Sequence, residues 1–363
     1  MKSNKAEGDR PVIPIGVIGC GKIAQLRHLP EYAENPAVKI HGLYDLNTER
    51  AEELAKQYGA KAYQSLEAMI NDAQIHAISV CSANNCHAEH TVQALRAGKD
   101  VLCEKPMATT LADCERMVEA ANQSGRFLMI DQNQRLAAAH VKGRELIRAG
   151  AIGKPLTFRT SFGHGGPETW TVDPGKTIWF FDKKRAAMGV LADLGIHKTD
   201  LIQFLLDQTV VQTTATLCTL DKKTAQGEPI DVEDNAICLY HMDGGAIGTM
   251  TASWTHYARE DNSTVICGTK GELRLYDDPA HSVVLYQKGV ATPVCYDLDE
   301  IQTNDAQSKS GVIDLFVEGL LHPEKREMTG ESVLKAMRAV FASIESSQTG
   351  RTIHVHTSKE GGL

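Results

Sequence analysis

The chain has 363 residues, of which 42% are hydrophobic and 23% charged, and a formal net charge of −8. That length exceeds one comfortable core and predicts two domains. The acidity, with no basic stripe, argues against nucleic acid as a partner, and no apolar run approaches a membrane span. The first ten residues, MKSNKAEGDR, read as a polar, disordered tail with neither an apolar signal core nor a twin-arginine pair. Nine scattered cysteines show no C-x-x-C and no zinc-type spacing. A reduced, cytoplasmic protein without a metal centre is the expectation.

The segment Val12–Ala24 carries most of the signal. Ile13, Ile15, Val17 and Ile18 read as a buried strand running into Gly19-Cys20-Gly21-Lys22-Ile23-Ala24, a G-x-G-x-x-A turn that should open a helix. Gly19 permits the tight turn, Gly21 lets a pyrophosphate approach the backbone, and Ala24 keeps the helix close to the strand. The diphosphate of a dinucleotide would sit on the free N–H groups of that helix, with Gly19, Gly21, Lys22 and Ile23 around it. A second apolar run (Val38, Ile40, Gly42, Leu43) ends in Asp45, where a carboxylate should accept from the adenosine ribose. The same glycines nearly spell a phosphate-binding loop of nucleotide triphosphatases, but Ile23 stands where that loop needs a hydroxyl for magnesium.

Strand and helix signals alternate as far as about Gln132. Thr48–Tyr58 reads as a helix with Thr48 near its N-cap, and 77–81 as a buried strand. A helix over 88–97 is closed by Gly98. Asp100–Cys103 is a strand, Leu111–Ser124 a helix and 127–130 a strand. This alternation predicts a doubly wound parallel sheet, an α/β Rossmann domain with ligands outside the carboxyl ends of its strands. After about residue 134 the texture becomes alternating strands (156–161, 210–217, 236–241, 245–254, 263–267, 271–276) separated by turns such as Asp243-Gly244-Gly245. Helices near 186–206, 311–321 and 331–346 complete an α+β domain on a large, open, mostly antiparallel sheet. The expected division is a tail at 1–10, a dinucleotide-binding domain at 11–133 and a substrate-binding and oligomerisation domain at 134–363, whose open sheet face suits a second subunit.

Three further clusters carry chemistry. Cys103-Glu104-Lys105-Pro106 closes a sheet strand, so the Lys105 ammonium points to the ligand crevice, where it can polarise a carbonyl or stabilise an alkoxide. In Gly189–His197 (GVLADLGIH), a helix would set Asp193 and His197 at i and i+4 on one face, a histidine for proton transfer beside a carboxylate. Ser82-Ala83-Asn84-Asn85-Cys86-His87 forms a polar turn where the nicotinamide side of a cofactor should lie. Each cluster also has an ordinary structural reading as a surface lysine, a helix pair or an asparagine-rich loop. His87-Ala88-Glu89-His90 has the wrong spacing for a zinc motif, and no nucleophile elbow occurs.

Taken in order, GCGKIA at 19–24, the S-x-N-x-x-H turn at 82–87, EKP at 104–106 and D-x-G-x-H at 193–197 make the chain similar to the Gfo/Idh/MocA family of oxidoreductases. The resemblance runs from Ile13 to about Ile353. It implies a Rossmann domain joined to an α+β domain, action on sugars and polyols, and assembly as a homodimer or homotetramer through the C-terminal sheet. It also implies that His197 exchanges a proton with the reacting hydroxyl, that Lys105 holds that oxygen, and that Asp193 orients the substrate or the histidine. The Lys105–Pro106 bond is often cis in relatives. Asn84, His87, Glu104 and Lys105 would line the nicotinamide ribose, with Ser82 in the same turn, and Gln132, Asn133 and Arg135 stand where relatives place a further cofactor-contacting turn. Asp45 repels a 2′-phosphate, so NAD is expected rather than NADP. The stretch FGHGGPETW at 162–170 should form part of the substrate wall, with His164, Glu168 and Trp170 recognising sugar hydroxyls or stacking on a ring, and Trp179 closing the nicotinamide side. Arg135, Lys176 and Arg185 could meet a charged sugar. The reading is an NAD-dependent dehydrogenase of a sugar, sugar derivative or polyol. A redox-neutral enzyme with retained NAD and a nucleotide-sensing regulator stay open as alternatives.

Overall fold

A computed structural model describes residues 12–172, 178–301, 307 and 309–356. The tail read as disordered and Lys176 lie outside the described residues. The first sheet comprises β1 (Ile13–Ile18), β2 (Val38–Tyr44), β3 (Lys61–Ala62), β4 (Ala77–Val80), β5 (Asp100–Cys103) and β6 (Leu128–Ile130), ordered β3-β2-β1-β4-β5-β6. All five pairings are parallel. β4 is buried at every residue, as a strand covered by helices on both faces must be. The strand order reverses between β1 and β4, and the crevice of a doubly wound sheet opens at that point. Helix Thr48–Tyr58 starts one residue earlier than expected: Asn47 is its cap, accepting from Arg50 N at 3.1 Å. A short amide side chain in extended backbone satisfies one of the orphan N–H groups of the first turn.

The second sheet has nine strands: β7 (Pro155–Gly163), β8 (Val210–Cys218), β9 (Asn235–Met242), β10 (Ile247–Ser253), β11 (Thr264–Gly268), β12 (Gly271–Leu275), β13 (Val283–Gln287), β14 (Val294–Tyr296) and β15 (Ile353–His354). Their order is β14-β13-β12-β11-β7-β10-β9-β8-β15, antiparallel except for β7 with β10. One face packs under helices Ile196–Leu206 and Gly330–Thr349. On the other, Ile237 and Leu239 of β9, Ile247 of β10 and Tyr286 of β13 are 39–59% exposed.

Two elements differ from the sequence expectation. Helix Val312–Leu321 does not flank the second sheet. Its Phe316 stacks on Phe127 at 5.7 Å within the apolar layer of Ile15, Leu29 and Tyr32, so it covers the first sheet. Buried Glu31 fastens the approach to this helix, accepting from Ser310 N at 2.7 Å and Gly311 N at 3.3 Å. The stretch 186–206 is not one helix either. Ala187 takes a positive φ of 64°, Leu191–Gly195 forms a π turn, and only Ile196–Leu206 is regular α-helix.

Candidate active site

The glycine turn follows from backbone sterics. Gly19 has φ +89°, and a Cβ there would stand 2.6 Å from the carbonyl oxygen of Cys81, so β1 and β4 approach as closely as they do only with glycine. A Cβ on Gly21 would meet nothing within 4 Å, because that residue faces open space. The turn is tied down by Gly19 N donating to Tyr44 O (2.8 Å) and Cys20 N donating to Asp45 Oδ2 (2.6 Å). The other Asp45 oxygen accepts from Asn47 N at 2.7 Å. A cavity of about 1100 Å³ opens here and runs to the second sheet, its lining including Gly19, Gly21, Lys22, Ile23, Asp45, Ser82, Asn84 and His87. That volume holds a dinucleotide with a small substrate, and the open face of Gly21 fits a pyrophosphate.

The expected nicotinamide-side turn is present, yet its side chains are largely engaged. The His87 ring nitrogens lie 2.8 Å from Pro106 O and 2.9 Å from Ser82 O, which ties this turn to the cis Lys105–Pro106 bond. Ser82 Oγ pairs with His90 Nδ1 at 3.0 Å, and Asn84 Nδ2 donates to Ala186 O at 3.3 Å. Below them lies a buried group absent from the sequence reading. Glu104 Oε1 accepts from His28 Nε2 at 2.8 Å, and Glu104, His28 and Asp131 bring possible ligand atoms within 4.8 Å of one another. Burial pushes the Glu104 carboxyl up, but the hydrogen bond and charge of His28 outweigh it and bring the pKa to about 2. Asp131 goes the other way, held well above the carboxylate range by burial and by the charge on Glu104. The His28–Glu104 hydrogen bond accounts for two of the three ligand atoms in this group.

At the far end, Lys105 Nζ donates to Asp193 Oδ1 and to Asp193 O, both at 2.9 Å. Trp254 Nε1 donates to Asp193 Oδ2 at 3.0 Å. Burial would raise the Asp193 carboxyl, but the charges of Lys105 and His164 and the two hydrogen bonds hold it below the usual range. The π turn carrying Asp193 is anchored by Glu233, whose Oε1 accepts from Gly189 N (2.8 Å) and Leu191 N (3.1 Å). A Cβ on Gly189 would meet Glu233 O at 2.0 Å, so the anchor requires glycine. The π turn interrupts the α-helix expected across these residues: the Asp193 carboxylate hydrogen-bonds Lys105 and Trp254, while its charge still acts on His197. His197, 7% exposed, lines the cavity with its Nδ1 unpartnered. Burial, then the Lys105 charge, lower its pKa to about 3, so the ring is neutral at pH 7.

The remaining candidates divide. His164, Trp170, Trp179 and Arg185 line the cavity. His164 packs edge-on to Phe162 at 5.8 Å, and its Nδ1 accepts from Gly166 N at 2.9 Å. Trp179 stacks on Phe180 at 4.0 Å. Trp170 reaches across to the glycine turn, where Lys22 Nζ sits 5.5 Å from its ring centroid. Glu168 turns to Lys222 at 2.5 Å. Asn133 lines the cavity, with Nδ2 donating to Gln307 Oε1 at 3.2 Å and Oδ1 left without a protein partner. Arg135 is a correction: it forms a two-pronged pair with buried Asp200 at 2.6 and 2.5 Å and is not among the residues that line the cavity. Gln132 is 1% exposed and is not a lining residue. Trp254, Glu233, His28 and Asp131 were missed because they act on other side chains and on backbone, and no local motif marks that.

Comparison with known proteins agrees with this architecture. Residues 13–132 match a family model described as "Oxidoreductase family, NAD-binding Rossmann fold", and residues 140–274 match the "GFO/IDH/MocA C-terminal domain". Levoglucosan dehydrogenase of Pseudarthrobacter phenanthrenivorans is 27% identical over 285 residues, 71% of this chain and 72% of that one. Myo-inositol 2-dehydrogenase of Thermotoga maritima is 28% identical over 260 residues, 71% and 74% of the two chains. The crystal structure of aldose-aldose oxidoreductase from Caulobacter crescentus complexed with glycerol superposes with a TM-score of 0.79 at 26% identity, covering 94% of this chain and 99% of that one. With both sheets, the glycine turn and both family models in agreement, the chain belongs to the GFO/IDH/MocA family of NAD-binding oxidoreductases.

Proposed function

We propose that the chain oxidises a secondary hydroxyl of a sugar, sugar derivative or polyol, using NAD rather than NADP. The observation that carries this reading is the Lys105–Asp193 ion pair beside a neutral His197 that lines the cofactor cavity. Bound NAD⁺ supplies the hydride acceptor. Gly19, Gly21, Lys22 and Ile23 hold its pyrophosphate at the helix N-terminus, and Asp45 its ribose. Asn133, with its free amide oxygen, Glu104, Trp179 and the 82–87 turn surround the nicotinamide end. His197 takes the hydroxyl proton as the carbinol hydrogen leaves. The Lys105 ammonium stabilises the developing charge on that oxygen, and Asp193 positions Lys105. His164 and Trp170 bound the substrate.

The domain division near residue 133 belongs to this proposal, with helix Val312–Leu321 returning to the first domain. The exposed Ile237, Leu239, Ile247 and Tyr286 face supports a homodimer or homotetramer, which light scattering would check. No described helix is long and apolar enough to cross a membrane. Nine free cysteines support a reducing, cytoplasmic setting.

The test is NADH absorbance on mixing protein and NAD⁺ with inositols, aldoses, sugar acids and glycosides, beside Lys105→Met. A rise that falls by orders of magnitude in the variant, with NADH still bound, supports the reading. An unchanged rate in the variant removes Lys105 from it. A redox-neutral reaction with retained NAD is the second reading, supported by Trp170 spanning from the substrate wall to Lys22. Co-purifying NAD with no net NADH release would favour it.

A further inference from the structure

Asp193 uses both carboxylate oxygens, and the partners come from distant parts of the chain. Oδ1 takes the ammonium of Lys105, from the end of β5, and Oδ2 takes the indole N–H of Trp254, from the end of β10. Trp254 is 0% exposed and heads the fully buried side chains by size. Its own backbone is fixed, with Trp254 N donating to Asp234 O at 2.9 Å. The Asp234 side chain in turn accepts from the backbone N–H groups of Leu220, Asp221 and Lys222, each at 2.8 Å. On its ring face Trp254 meets Phe181 at 5.8 Å. The indole therefore has no freedom to follow a moving carboxylate.

A carboxylate on a π turn can rotate about χ1 and χ2 and present either oxygen to the lysine. A donor fixed in the sheet removes that freedom. From this geometry we infer that Trp254 is a positioning residue: its N–H locks the Asp193 rotamer and thereby sets where the Lys105 ammonium stands. Catalysis depends on such placement to within about an ångström, so a loosened ammonium costs turnover without altering the bulk of the site. The inference deepens the proposed reaction and rests on it for its kinetic readout only.

The experiment replaces the indole with β-(3-benzothienyl)alanine at position 254, which keeps the bicyclic shape and lacks the N–H. Trp254→Phe is the companion variant, and NADH fluorescence titration reports whether each folds. Losing a buried hydrogen bond to a charged group predicts a drop in kcat of about ten- to a hundredfold, with KM changing less. Removing a donor from a carboxylate raises its pKa, so the acidic limb of the kcat profile should move to higher pH. A second readout needs no substrate: acetic anhydride labelling of Lys105, followed by mass spectrometry, should rise severalfold as the pair loosens. Unchanged labelling would overturn the inference, as would an unmoved acidic limb with undiminished kcat. If no substrate is turned over by the wild-type protein but labelling rises, the proposed reaction fails and the role of Trp254 stands.

Discussion

At the glycine-turn end of the cavity the working surface is backbone. Gly21 presents a bare Cα to open space, the Gly19 and Cys20 N–H groups close the turn on Tyr44 O and Asp45, and Asp45 is thereby bonded to the same backbone. At the other end the working surface is side chains: Lys105, Asp193 with His197, and Trp254 come from three separate stretches, and Asp193 holds Lys105 and Trp254 together. Backbone placement comes from a few consecutive residues and tolerates change elsewhere. Side-chain placement needs both sheets correctly packed, and it puts buried ionisable groups next to each other. The first end should therefore respond to substitution and pH as a binding site, and the second as a titrating, rate-determining one.

The sharpest separation comes from His197→Gln. The variant keeps a polar side chain in the pocket but removes the group proposed to accept the proton. Turnover should fall by about 10²- to 10⁴-fold, the usual value of a positioned general base. NADH affinity should change by less than about threefold, since the dinucleotide rests on the other end. Stopped-flow hydride transfer and NADH fluorescence measure the two quantities on one preparation. Parallel losses in both would erase the distinction between the ends.

The two ends were also unequally legible. The G-x-G-x-x-A turn, the strand before it and Asp45 are contiguous or nearly so, and each residue type has a local steric or charge reason. The cis Lys105–Pro106 bond was expected from the family resemblance and not from any local pattern. By contrast, the sequence placed residues 186–206 in one helix, whereas Leu191–Gly195 is a π turn whose approach is held by Glu233, some forty residues away. Arg135 looked available to ligands because Asp200, its buried partner, lies 65 positions downstream. Helix Val312–Leu321 carries an apolar face that either sheet could have buried. The choice is made by Glu31 and Phe127, which no periodicity reveals. Contacts of long sequence separation carry no local signature.

Stability against pH should come mainly from the side-chain-built half. Burial lowers His140 and His197 to about 3, and the unfolded chain returns both to 6.5. Below pH 6.5 the unfolded state binds protons that the folded state refuses, so stability falls as pH drops towards 3. At pH 5 each histidine costs about 2 kcal/mol relative to pH 7. His28, raised by Glu104 against the effect of burial, acts in the opposite sense. Denaturant titrations at pH 7 and 5 should show the loss. His140→Phe, which keeps a ring against Tyr276 (5.1 Å in the native pair), should recover about 2 kcal/mol of it. An identical pH dependence in the variant would show that His140 is already charged in the folded state.

The smallest expected effect tests whether the backbone-built end is as simple as described. Asp45 accepts from Cys20 N and Asn47 N to close the turn, and its proposed second duty is to present charge to a ribose. Asp45→Ala removes both, and should weaken NADH about tenfold, the loss of one charge-assisted hydrogen bond. NADPH gains from removal of the repelling carboxylate what it loses from the loosened turn, so its affinity should fall less and the NADH-to-NADPH preference should shrink. Asp45→Asn keeps an acceptor for the turn and loses only the charge, which should narrow the preference while costing NADH less than the alanine does. Fluorescence titration of both nucleotides against both variants separates the duties. Equal losses of NADH and NADPH in Asp45→Ala would leave Asp45 as a brace for the glycine turn, with cofactor choice residing in the neighbouring Leu46, Asn47 and Arg50 that line the same end of the cavity.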